Sequence, residues 1–233
     1  MSPWLVLQMV GLPLAWLALL YGLREPLYGF WRSYLLTWAQ WLRLPLAPAD
    51  VLSRQDLLGL SWSPGASDLG LSTTTGAALA AVVVVVAWGL SLRLRGRWLP
   101  AQYLVRVLCV VQALALLYFW FAPMPFPHQL LSHAVDLLDA GYLLMLSIPV
   151  LMALGYYPLQ ISWQAKVVHT LLILMFFGIM VPQQALVHLL ILQHLSVVFM
   201  PVLYLCFGAL FDMMVFVALY AWAASTAPLS ATH

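Results

Sequence analysis

Long unbroken apolar runs separated by short polar interruptions make up most of this chain, and the runs are about as long as a bilayer is thick. Lipid cannot hydrogen-bond a peptide backbone, so an apolar run that crosses it has to be a helix. The pattern predicts spans over residues 4–22, with a kink at Pro13, and over 73–92, 102–122, 140–157, 167–181 and 202–224. The second span holds the valine run Val82–Val86, whose β-branching favours strands in water, but in a bilayer the length of the run decides for helix. Pro182 to Pro201 is only just long enough to cross, and it reads equally as a seventh crossing, a re-entrant piece or an interfacial helix. The expected fold class is all-α: a polytopic helical membrane protein with about six transmembrane helices, roughly five to seven, forming a single integral membrane domain over residues 1–233.

Two interruptions have a character of their own. Tyr28, Trp31, Tyr34, Trp38 and Trp41 lie among Arg24, Arg32 and Arg43, a density of rings and arginines that suits the headgroup level. Residues 23–45 are therefore expected to form an interfacial amphipathic helix. Residues 46–72 are the one sizeable polar stretch, with Asp50, Arg54, Asp56 and Asp68, and are read as a short helix near Ala49–Leu58 followed by a loop.

Charge sets orientation. Arg93, Arg95 and Arg97 cluster after the second span and Arg106 follows, whereas the expected loop from Pro123 to Ala140 has no Lys or Arg. The positive-inside rule then puts the N-terminus and residues 93–101 in the cytoplasm and the 46–72 region outside. Arg24, Arg32 and Arg43 run against the rule unless a surface helix absorbs them. The run from Trp4 to Tyr21 lacks a basic flank and an Ala-x-Ala site and is read as a retained signal anchor. Short loops and the lack of targeting signals fit a bacterial inner membrane.

Composition narrows the partners. Hydrophobic residues make up 65% of the chain and charged ones 7%, so the solvent for most side chains is the lipid bilayer. Nine Lys or Arg against seven Asp or Glu leave no basic face for nucleic acid. Cys109 and Cys206 fall inside expected spans, where a thiol acts as a small apolar group.

Asp212 lies within the most apolar run, where a charged group costs about 2.5–3.5 kcal/mol on insertion scales. Three roles are open to it: proton or cation movement, pairing with a cation, or a neutral carboxyl that hydrogen-bonds between helices. Arg106 and Lys166 belong near span ends, which disfavours the pair. Gln184 and His188 share a helix face at i,i+4, while His188 and His194, six apart, point in different directions. With His169 they are either packing glue between helices or, taken from different helices, ligands of haem b. A further group, His128, His133, Asp136 and Asp139, has spacings that gather on one helix face and suit a metal, but equally suit the wetted face of an interfacial helix. Ten methionines, histidine and Cys206 leave copper as a minor option, against methionine's ordinary use as core filler.

H-E-x-x-H, G-x-S-x-G and Walker A motifs are missing, and Glu25 is the only glutamate. No catalytic set is expected, and no cofactor. The expectation is a non-enzymatic subunit of a larger complex, whose partners are other integral membrane proteins. The alternatives are proton- or ion-coupled transport through Asp212 with His188 or His194 as relay, and a redox subunit holding haem b or copper.

Overall fold

The computed structural model describes residues 3–48, 58–62, 73–121, 130–156 and 162–226. The chain order is α1 (Pro3–Gly22), α2 (Arg24–Leu42), β1 (Leu46–Pro48), β2 (Leu60–Trp62), α3 (Thr73–Ser91), α4 (Leu99–Phe121), α5 (Leu130–Tyr156), α6 (Trp163–His194), α7 (Met200–Tyr204) and α8 (Leu210–Ser225), with a π-helical turn, Leu205–Ala209, joining the last two. Among the described residues, five segments are long and apolar enough to cross a membrane: Thr74–Ser91, Gly96–Phe121, Leu130–Tyr156, Trp163–His194 and Val197–Ser225. Met9–Gly22 in α1 is a shorter apolar helix. The all-α expectation holds for the bundle, and the valine run is helical as its length required. One small sheet lies outside that expectation: β1 and β2 pair antiparallel, Leu46 opposite Trp62 and Pro48 opposite Leu60. The helix expected near Ala49–Leu58 falls almost wholly outside the described residues.

Two expected boundaries are corrected. Residues 130–140, taken as loop, are the first turns of α5, because Ala134, Leu137 and Leu138 continue the buried face of that helix. Its inner stripe, Ala134, Leu138, Gly141, Met145, Ile148 and Met152, steps by alternating four and three, the spacing of a coiled-coil seam. Pro182 does not end a span either. Helix α6 runs through it for 32 residues, about 48 Å at 1.5 Å per residue. Ser162 caps its start, the hydroxyl accepting from the Ala165 amide at 3.4 Å.

The reason α6 survives its proline lies in α2. Pro182 has no N–H to offer the carbonyl four residues back, which is that of Gly178. The Trp31 indole Nε1 donates to that carbonyl at 2.8 Å, and Trp31 is wholly buried. Tyr28, Trp31, Leu35 and Ala39 form the buried stripe of α2, while Trp41 on its other side is 80% exposed. The helix then stops at Arg43, which takes the left-handed conformation; the Arg43 amide returns to the Gln40 carbonyl and the Leu44 amide to that of Ala39.

Helices α5 and α6 form the central antiparallel hairpin. Gly141 allows their closest approach, since a Cβ there would collide with the Val181 side chain. Three facing pairs, Gly141 with Val181, Met145 with Gly178, and His133 with His188, are each symmetric to within one residue about position 161 in the connection. That register brings the two histidines to one level. Tyr142 ties α1 to the hairpin, its hydroxyl donating to the Leu20 carbonyl at 3.2 Å. On the other flank α4 reaches α3 through Gln102, which donates to the Ser91 carbonyl at 2.9 Å, and through Arg106 stacked over Trp88. Gln112 of α4 donates to the Val198 carbonyl at 3.0 Å, joining this pair of helices to the turn before α7.

Candidate functional site

The polar site is built from α5, α6 and the break between α7 and α8. In that break the chain runs as π-helix over Leu205–Ala209, and Gly208 departs from helical geometry at φ −99°, ψ −105°. A single π-helical turn inside a span loosens the regular ladder and turns backbone carbonyls toward side chains. The Phe207 carbonyl accepts from Gln184 Nε2, and the His188 ring faces the same carbonyl. Leu137 packs so closely on Gly208 that a Cβ there would stand 3.2 Å from its methyl, so the break is held against α5.

Asp212 follows in the first turn of α8. It is 6% exposed, and the Gln184 side chain is the polar group facing it. Both side chains keep one buried oxygen without a hydrogen-bond partner, Asp212 Oδ1 and Gln184 Oε1. A buried acceptor in that state is costly by about 1–3 kcal/mol.

His188 continues the polar line toward the start of α5. Its Nδ1 lies 3.3 Å from His133 Nε2, with the rings stacked at 5.5 Å and 22°, and Tyr204 packs against His133 at 5.7 Å. At that separation one imidazole donates and the other accepts. Both rings are almost wholly buried, at 3% and 2% exposure. Beside His188 a cavity of about 410 Å³ opens between α6 and the break, walled by Met180, Val187, Ile191, Leu203, Phe207 and Phe211, with Gln183, Gln184 and His188 as its polar part.

The remaining candidates are elsewhere. His169 lies 19 residues before His188 on the same helix, about 28 Å away. Its Nε2 is 3.3 Å from Thr226 Oγ1, and the ring packs among Tyr156 and Trp222. His194 is exposed while His188 is buried, so the structure does not bring His169, His188 and His194 together as a ligand set. The outer group does not converge either. His128 lies outside the described residues, His133 turns inward, and Asp136 and Asp139 are exposed. Asp139 accepts from the Tyr28 hydroxyl at 2.5 Å. Burial first, and then this bond to Asp139, hold Tyr28 protonated above the ordinary tyrosine range. Among the described residues no three His, Cys, Asp or Glu side chains gather as a metal site.

The sequence already groups Asp212, Gln184 and His188 as polar residues of apolar runs, but places His133 apart, with the outer group. The signal that joins two of them was present: His133 and His188 are nearly equidistant from the connection between their helices. The part played by the Phe207 carbonyl had no such signal. In comparisons with known proteins, no family model, curated protein or solved structure matches this chain.

Proposed function

We propose that this is a multi-pass membrane protein in which Asp212 takes up and releases a proton, or a small cation in its place, inside the apolar part of the bundle. One observation carries the reading: the Asp212 carboxyl is almost wholly buried in a segment long enough to cross a membrane, faces the Gln184 side chain, and keeps Oδ1 without a hydrogen-bond partner among the described residues. A protonated carboxyl is itself a donor as well as an acceptor and carries no charge to bury. An ionised carboxylate keeps a buried oxygen unmatched, which a proton or a small cation would match. Occupancy of the site by H⁺ or a cation therefore changes the hydrogen bonding of α6 to α8. His188 and His133 extend the polar line toward the start of α5, and imidazole accepts on one nitrogen and donates from the other.

Proton flux into proteoliposomes, driven by a potassium diffusion potential and read with an enclosed pH dye, tests this. Asp212→Asn is expected to abolish the flux while leaving yield and size-exclusion profile unchanged, and His188→Gln to reduce it. Equal flux in wild type and Asp212→Asn overturns the proposal.

Membership of a larger complex in a bacterial inner membrane stands beside this reading as a second proposal. It is supported by α3 and α4, which pack chiefly on each other and on the turn before α7, leaving apolar residues such as Val85, Leu114 and Leu117 on open flanks. A stoichiometric membrane chain co-purifying in mild detergent is its expected result.

A further inference from the structure

We infer that the closed end of the α3–α4 hairpin binds the phosphate of an anionic phospholipid, with Arg106 as its main contact. Arg93, Arg95, Arg97 and Arg106 are four of the chain's nine Lys and Arg residues, and residues 73–121 contain no Asp or Glu. The cluster therefore has no counter-ion on its own two helices. Arg93, Arg95 and Arg97 are exposed on the connection, but Arg106 is half-buried. It lies seven residues into α4, about 10 Å along a segment long enough to cross a membrane. Its guanidinium stands 5.6 Å from the centre of the Trp88 ring, and the enclosed Nε shows that the side chain is packed in place. The two terminal nitrogens are not enclosed, and they make no hydrogen bond among the described residues. An indole face attracts a cation but offers its outward N–H groups no acceptor, so a fixed fork of donors is left facing the membrane surface.

The surroundings say which anion fits. Trp88, Trp98 and Tyr103, at the same end of the hairpin, are all exposed, as aromatic rings at the headgroup level are. Tyr103 and Val110, three residues before Arg106 and four after it, are exposed on the side of α4 that carries the arginine. A phosphate held by Arg106 thus has an apolar surface beside it on which its own acyl chains lie. A soluble phosphate gains nothing from that surface. A guanidinium takes two phosphate oxygens side by side, which an ammonium does not. Choline lipids carry the same phosphate, but their ammonium group is repelled by Arg93, Arg95 and Arg97, so the cluster selects a headgroup of net negative charge. The inference rests on α3 and α4 alone and does not require Asp212 to titrate.

Calorimetric titration of the delipidated full chain, in micelles of a neutral detergent, with dioctanoyl phosphatidylglycerol tests it. Saturable binding at one per chain is expected, about fivefold or more tighter than that of dioctanoyl phosphatidylcholine. Arg106→Gln should weaken phosphatidylglycerol binding about tenfold with the size-exclusion profile kept. Arg106→Lys keeps the charge but loses the fork, and should weaken it about threefold; it decides the matter if Arg106→Gln folds poorly. Replacing Arg93, Arg95 and Arg97 together by Gln should bring the preference over phosphatidylcholine below about twofold while one lipid per chain still binds. Asp212→Asn should leave the affinity within about twofold, so loss of proton flux in that variant does not count against the lipid site. Absence of saturable binding overturns the inference, as does equal affinity for the two lipids or insensitivity to both well-folded Arg106 variants. Displacement of the lipid by sodium phosphate but not by sodium chloride of equal ionic strength also overturns it, and assigns the arginines to a soluble anion.

Discussion

Two helices of this bundle are interrupted, and they resolve the interruption in opposite ways. In α6, Pro182 frees the Gly178 carbonyl, and one indole from α2 fills the vacancy within a tightly packed core. In the α7–α8 span, the π-helical turn presents the Phe207 carbonyl to a carboxamide and an imidazole, and in the following helix turn a buried carboxyl keeps an oxygen unpartnered among the described residues. The first arrangement is closed, with each polar atom matched by a rigid side chain. The second is open, with acceptors in excess of donors. An interruption that is fully matched is structural; one that leaves buried groups unmatched is where chemistry or a ligand belongs.

The contrast can be broken first at Trp31. Trp31→Ala should destabilise the protein by about 3–5 kcal/mol, as expected for a wholly buried large aromatic. Trp31→Phe isolates the hydrogen bond and should cost about 1–3 kcal/mol, because Gly178 O is left buried and unpaired. Unfolding in mixed micelles measures both, and a Trp31→Phe variant as stable as wild type would show that the indole is not what stabilises the proline turn. At the open site, a double-mutant cycle of His133→Ala and His188→Ala should give a coupling of no more than about 1.7 kcal/mol, the upper end for hydrogen bonds between membrane helices, whose average is about 0.6. A larger value would make the pair a second structural clamp.

The smallest effect is at Tyr28. Tyr28→Phe should cost about 1 kcal/mol through its bond to Asp139. Because the folded state holds this hydroxyl protonated above the ordinary value of 10.0, the contribution is fully present below pH 10 and declines as pH rises beyond it. A wild-type minus Tyr28→Phe stability difference that stays constant as pH rises well above 10 would contradict that assignment.

How much of this was readable beforehand follows from where each determinant lies. Apolar run length is local, so the helical architecture and most candidate spans are legible, although the run at 4–22 yields only the shorter apolar helix Met9–Gly22 among the described residues. The fate of Pro182 was not, because its remedy is an indole 147 residues away in sequence. The start of α5 was misplaced because His133, Asp136 and Asp139 made the segment look like a wet loop, although Ala134, Leu137 and Leu138 already carried the helical stripe. Asp212, Gln184 and His188 were recognisable as costly polar residues in apolar runs. Their meeting depends on the π-helical turn, and Gly208 alone does not announce one in a sequence.

The central claim is that the open site exchanges its proton whereas the closed one is fixed. Infrared difference spectroscopy across a pH titration, on wild type and Asp212→Asn in lipid, addresses it directly through the carbonyl stretch of a protonated carboxyl. A band that disappears reversibly as pH rises and is missing from Asp212→Asn is expected. A band belonging to Asp212 that stays unchanged across the whole titration would contradict it and make this carboxyl a permanent hydrogen-bond donor between α8 and α6.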